Sequence, residues 1–269
     1  MKKTTSSRLE MRLFSVYNKK INRNHCRGCF EQDSKIASKY KGERKRCPPQ
    51  SFWNIGKNLS KEDVPIRLAF VGKTSWNNAK LLRKDRKIGS VKDCRYMGPD
   101  RLNDKTAYWT TLRATIEGLE LTLDDVFITN FAKCNIYEVR RNSSTNITDW
   151  EYFDACKDII EREIEIVKPT HVIFLTGDNY DSLIKDMSFG CKPSEIVDQT
   201  SHSHKKKIPF KYESRKNSVC WWYRTFRRDN GTKMHLLRTR HPQGAPGKFE
   251  REIRKWVRQT HRHSVRETR

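Results

Sequence analysis

Apolar positions along the chain fall into two periods. IRLAFVG (66–72), DDVFITNF (124–131) and THVIFLTG (170–177) are short, nearly continuous apolar runs, the pattern of buried strands. Between them, TAYWTTLRATIEGL (106–119) and WEYFDACKDIIEREIEIVKP (150–169) carry apolar residues at helical spacing, the first ending at a glycine and the second at a proline. A short helix is predicted from Asp178 to Asp186, followed by a long polar excursion. SVCWWYRTF (218–226) and KMHLLRTR (233–240) flank RRDNGT, whose Asn230-Gly231 signals a type I′ hairpin. KFEREIRKWVRQTH (248–261) closes the ordered part as a helix, and HRHSVRETR (261–269) reads as a disordered basic tail. Strands alternating with helices predict an α/β fold, a central parallel sheet with helices on both faces.

Composition narrows this picture. A 269-residue chain with 35% hydrophobic residues can bury one full core and still carry polar excursions. No apolar stretch approaches the roughly 20 residues that cross a bilayer, and MKKTTSSRLEMRLF has no apolar run behind its lysines, so a cytoplasmic protein without membrane partners is expected. The net charge of +24 is unevenly placed. Residues 1–65 hold 16 basic and 6 acidic side chains, residues 66–200 hold 20 and 21, and residues 201–269 hold 20 and 5. A neutral middle between basic flanks points to a polyanion, because Lys and Arg that neutralise phosphates release condensed counterions. The predicted organisation is a basic segment over 1–60, an α/β domain over 61–260 with a basic insertion at about 187–233, and the tail, in a monomer.

Ligands of parallel α/β sheets bind beyond the carboxyl ends of the strands. Those ends read Gly72-Lys73-Thr74-Ser75-Trp76, Thr129-Asn130-Phe131-Ala132-Lys133-Cys134, Thr176-Gly177-Asp178-Asn179 and Arg240-His241-Pro242-Gln243. All four are polar and punctuated by glycine or proline, as a shared site would be. By position alone, His241 is equally well a satisfied loop histidine.

In this order the ends resemble the uracil-DNA glycosylase superfamily: a strand ending in Val71-Gly72, then ITNFAKC (128–134), then KPTHVIFLTG (168–177) and a final His241-Pro242 loop. ITNFAKC is the most specific match and is similar to the branch that carries a [4Fe-4S] cluster. That resemblance implies four thiolate ligands, Cys26, Cys29, Cys134 and Cys156. Read from spacing alone, Cys26 and Cys29 with Cys47 and His25 form an alternative local zinc site. Either metal would be structural, and Cys94, Cys191 and Cys220 are left as spare thiols.

The resemblance implies a DNA glycosylase that flips a nucleotide out of the stack and stabilises negative charge on the departing pyrimidine. His241 would donate to that charge, Asn130 would hydrogen-bond the base, and the loop from Pro242 to Gly247 would hold the duplex open, with Gln243 where the family usually has Ser. The first motif departs from the family's G-E-x-P-G: the acid has become Lys73. Asp85, Asp93 or Asp178 could replace it, Lys73 could act as an amine nucleophile or point away, and Trp76 and Tyr96 are candidates to stack on the base. The departure and the insertion suggest a larger substrate, such as a hypermodified base of phage DNA. In the insertion, Trp222, Arg224, Arg227 and Arg228 interleave aromatics with cations that can bind DNA beside Arg240 and Gln243. Two other classes stay open: a non-catalytic iron-sulfur protein that binds nucleic acid, and a nuclease, although the acidic residues form no convincing metal-binding set.

Overall fold

The computed structural model describes residues 8–22, 44–46, 53–61, 63–74, 104–133, 136–138, 143–144, 154–191, 196–201, 221–243 and 249–267. Its elements are α1 (Arg8–Asn22), β1 (Arg44–Arg46), β2 (Asn54–Ile55), β3 (Leu68–Thr74), α2 (Ala107–Gly118), β4 (Val126–Ala132), β5 (Ile136–Glu138), β6 (Ser143–Ser144), α3 (Asp154–Val167), β7 (His171–Leu175), α4 (Asp181–Lys185), β8 (Ile196–Ser201), β9 (Trp222–Arg227), β10 (Lys233–Arg238) and α5 (Phe249–Glu267). Seven strands form the main sheet in the order β2-β4-β3-β7-β10-β9-β8. The central four, β4, β3, β7 and β10, run parallel, while β2 and β9 run antiparallel to them at the two sides and β8 pairs antiparallel with β9 at the outer edge. The expected parallel sheet is therefore its centre, and the basic insertion builds one antiparallel edge. Strands β1, β5 and β6 make a small separate sheet.

The core lies in two layers, because successive side chains of a strand face opposite ways. On one face Ala69, Val71, Phe127, Phe131, Val172 and Phe174 pack under α1, α3 and α4. On the other, Leu68, Phe70, Ile128, Ile173, Leu175 and Leu237 pack under α2 and α5. This is the three-layer α/β/α arrangement expected from the alternating pattern.

Three local readings are corrected. Helix α1 lies inside the segment read only as basic; Leu9, Leu13 and Tyr17, one turn apart, are buried and join the core. The last helix does not stop before a disordered tail but continues to Glu267, and Ser264 meets the ring of His235 at 2.8 Å. The hairpin at Asn230-Gly231 exists, but its backbone is not type I′. The Gly231 N–H donates to the Arg228 carbonyl and Gly231 alone is left-handed, at φ 77°, which describes a type I turn closed by a left-handed glycine. Asn230 stays out of the left-handed region because its carboxamide oxygen accepts from both the amide and the hydroxyl of Thr232.

Candidate active site

All four parallel strands present their carboxyl ends at one edge of the sheet. Gly72 pairs with Asn130 across β3 and β4 and with Leu175 across β3 and β7. Asn130 lies on the same face of β4 as Ile128, toward α2, and is buried. Gly72 is glycine for a steric reason: a Cβ there would overlap the Asn130 side-chain oxygen and sit 2.7 Å from the Tyr108 hydroxyl. Asn130 and Tyr108 thus converge on one point above the end of β3.

Tyr108, in the first turn of α2, was not foreseen. Its ring stacks on His241 at a centroid distance of 6.5 Å and an interplanar angle of 22°, and it meets Trp109 edge-on. Its hydroxyl is buried without a hydrogen-bond partner among the described residues, and burial pushes its pKa above the ordinary phenol value. The available signal was positional. A crossover helix leaving the carboxyl end of β3 must begin at the edge where ligands bind, so its first turn looks into the site.

His241 is half-buried, and its ring accepts the Gln243 backbone N–H on Nδ1 at 3.2 Å. Burial, and after it the charge of Lys73, push its pKa down to about 4. The imidazole is therefore neutral at physiological pH with its proton on Nε2, a hydrogen-bond donor that brings no full charge of its own. Lys73 is half-buried and close enough for His241 to feel its charge. Such a group favours an anion formed beside the imidazole.

Behind Asn130, the other face of β4 is held by a buried ionic network. Lys133 Nζ lies 2.6 Å from Glu163 Oε1 and 2.5 Å from Thr129 Oγ1, Thr129 donates to Glu163 Oε2 at 3.0 Å, and Tyr17 of α1 donates to Glu163 Oε1. Lys133 is 2% exposed and Glu163 0%. Within ITNFAKC, Thr129 and Lys133 therefore hold the strand while Asn130 faces the site. Cys156 of α3 is buried, and its Sγ accepts the Lys133 N–H at 3.4 Å.

Not every expected residue reaches this edge. Trp222 is core, 3% exposed, with Lys185 Nζ and the guanidinium groups of Arg224 and Arg238 at 5.5–5.9 Å from its ring, so it has no free face on which a base could stack. Arg224 is occupied further by the Lys185 carbonyl. Arg227 is exposed and Arg228 donates to the Pro169 carbonyl at 2.6 Å; both stand where β9 ends against the start of β10, at the opposite edge from His241. Arg240 and exposed Gln243 flank His241 as expected. Trp76, Tyr96, Cys26, Cys29, Cys134, Asp85, Asp93 and the loop 244–248 lie outside the described residues, as does the side chain of Asp178. Among the described residues no group of three or more His, Cys, Asp or Glu could hold a metal ion, and no helix is long and apolar enough to cross a membrane.

No curated protein sequence matches the chain. The family model described as the Uracil DNA glycosylase superfamily matches residues 47–259, which covers every strand of the main sheet and all the residues of this edge.

Proposed function

The chain belongs to the uracil-DNA glycosylase superfamily, and from that premise we propose that it hydrolyses the N-glycosidic bond of a flipped-out uracil or modified pyrimidine in DNA, leaving an abasic site. The observation that carries this reading is the hydrogen bond that Nδ1 of half-buried His241 accepts from the Gln243 N–H, which puts the proton of the neutral ring on Nε2, with no partner there among the described residues. As the bond between the sugar C1′ and the base nitrogen breaks, its electron pair goes to the pyrimidine. Water supplies the hydroxyl that ends on C1′ and the proton that ends on the base. Nε2–H meets the negative charge as it develops, and one such preorganised donor is typically worth about 3 kcal/mol, or 10² to 10³ in rate. Lys73, whose charge His241 feels, adds positive potential that favours the departing anion. Asn130, fixed by the buried network behind it, supplies the amide that reads the base edge, with Tyr108 as the aromatic beside it.

For the metal, the reading that the described residues support is a [4Fe-4S] cluster; the residues of the local zinc alternative, His25, Cys26, Cys29 and Cys47, lie outside them. Cys156 is buried and its sulfur receives a backbone N–H, as a thiolate ligand would, from the residue immediately before Cys134. Helix α1 runs antiparallel to α3, because Arg8 and Arg12 lie with Ile166, Val167 and Lys168 while Tyr17 reaches Glu163. At 1.5 Å per residue, Asn22 lies about 7.5 Å beyond Tyr17 and Cys156 about 10 Å beyond Glu163. The chain thus leaves α1 toward Cys156, with Cys26 four residues further on. The cluster would tie α1, β4 and α3 together and takes no part in the reaction.

The test uses end-labelled DNA containing uracil, thymine mismatches, or hydroxymethylated and glucosylated cytosine, followed by alkali to cut at abasic sites. Wild type should cleave at least one of these, His241→Ala should lose 10² to 10³ in rate while still binding DNA, and Cys156→Ser should lower bound iron and sulfide. Binding without base release on every substrate would establish the non-catalytic reading instead.

A further inference from the structure

The edge of the sheet opposite His241 carries a second constellation that the proposed reaction does not use. A cavity of about 610 Å³ opens there between α1, the start of β3, the end of α3 and the β9–β10 hairpin. Five cationic side chains line it: Arg8, Arg12, Arg67, Lys168 and Arg228. Ser60, Asn230 and Thr232 add neutral polar groups, and no carboxylate is among the described lining residues. Folding thus brings cations from both basic flanks to one place, Arg8 and Arg12 from the first and Arg228 from the last.

Two of these cations are held by carbonyls, which orient a guanidinium without neutralising it. Arg67 donates to the Lys61 carbonyl at 3.0 Å and Arg228 to the Pro169 carbonyl at 2.6 Å. Burial pushes the Arg228 pKa down to about 10, with Cys191 opposing the shift and the Arg67 charge adding to it, so Arg228 is a cation partly stripped of water. Converging like charges at a partly desolvated site are relieved by a bound anion, and guanidinium forks match phosphate oxygens.

We propose that this cavity is a second phosphate-binding site, which holds the sugar-phosphate backbone of a nucleic-acid strand at the edge of the sheet opposite the active site. The identity of the strand rests on the DNA reading above; the affinity for phosphate does not.

The experiment compares wild type, Arg8→Glu/Arg12→Glu and His241→Ala as full chains with two probes. The probes are a uracil-free DNA duplex followed by anisotropy over a salt series, and sodium pyrophosphate followed by calorimetry. Arg8 and Arg12 are exposed positions of α1, so charge reversal leaves its buried face intact. The double variant should bind the duplex at least 10-fold more weakly, and its log-log salt slope should flatten by about 2, one unit for each lost phosphate contact. His241→Ala should bind both probes as wild type does. Loss of pyrophosphate binding in the double variant with unchanged duplex binding would keep the site and assign it to a free phosphate ligand. Unchanged affinity for both probes would overturn the proposal, and exposed Lys168→Glu repeats the test should the double variant unfold. Base release by wild type and the double variant at saturating DNA, measured on each of the substrates named above, separates the two readings. Release by no protein sinks the glycosylase reading alone, whereas release with unaltered binding sinks the second site alone.

Discussion

One missing carbon at residue 72 lets the candidate active site assemble. With Gly72 in place, the Asn130 side-chain oxygen and the Tyr108 hydroxyl can both approach the end of β3. Gly72→Ala would drive a methyl group into that space, an overpacking that typically costs about 1–3 kcal/mol. The displaced atoms belong to the proposed base-reading groups, so activity should suffer more than folding. We expect base release to fall at least 10-fold, while thermal melting of the variant still shows a cooperative transition at a lowered midpoint. Release at the wild-type rate would remove Asn130 and Tyr108 from the chemistry. Histidine 241 makes the complementary point. Its position at the end of an apolar run was readable, but its charge state was not, because neutrality depends on burial and on Lys73, 168 residues away in the chain.

At the scale of elements, the junction of α1, β4 and α3 is held by the Lys133–Glu163 pair and its partners Thr129 and Tyr17. A buried pair contributes little net stability relative to an apolar pair of the same shape, but removing one partner strands a charge in the core. Lys133→Met should therefore destabilise by about 3–5 kcal/mol, and Lys133→Met/Glu163→Leu should recover most of that loss, as read from urea midpoints. If the double variant is no better than the single, the network is not a charge pair in energetic terms. Helix α1 itself was legible in retrospect from Leu9, Leu13 and Tyr17 at spacings of four. Its flanking Arg8, Arg12, Lys19 and Lys20 made the segment read as a charge run. The hairpin strands were readable from their apolar alternation, whereas the role of Trp222 was not. Aromatics interleaved with arginine describe equally a surface that stacks on bases and, as here, a core indole surrounded by its own cations.

For the whole molecule, acid sensitivity follows from the far edge of the sheet. His171 is buried beside His235, at a ring distance of 5.1 Å, with Thr170 and Thr260 on its two nitrogens. Burial first, then the charges of His235 and His261, hold its pKa well below 6.5. In the unfolded chain this histidine takes up a proton near pH 6.5, and in the folded protein it does not, so protons favour unfolding below that pH. Stability should be level above about pH 6.5 and decline as pH falls below it, and His171→Gln should flatten the decline in urea midpoints measured between pH 7.5 and 5. A decline of the same slope in the variant would assign the sensitivity elsewhere.

The sequence by itself determined the order of the central strands and of the helices between and after them, the parallel centre of the sheet, and the edge at which Asn130 and His241 would meet. Those features follow from periods of two and 3.6 residues and from the geometry of crossovers, which are local properties of the chain. Only the tertiary structure decided that Tyr108 joins them, that Trp222 is core, that Arg228 and Arg240 stand at opposite edges, and that cations from both basic flanks share one cavity. These depend on which distant segments share a face or an edge and on how much water each group loses there. Residue identity specifies the charge a side chain can carry; three-dimensional surroundings decide whether it carries it and what it meets.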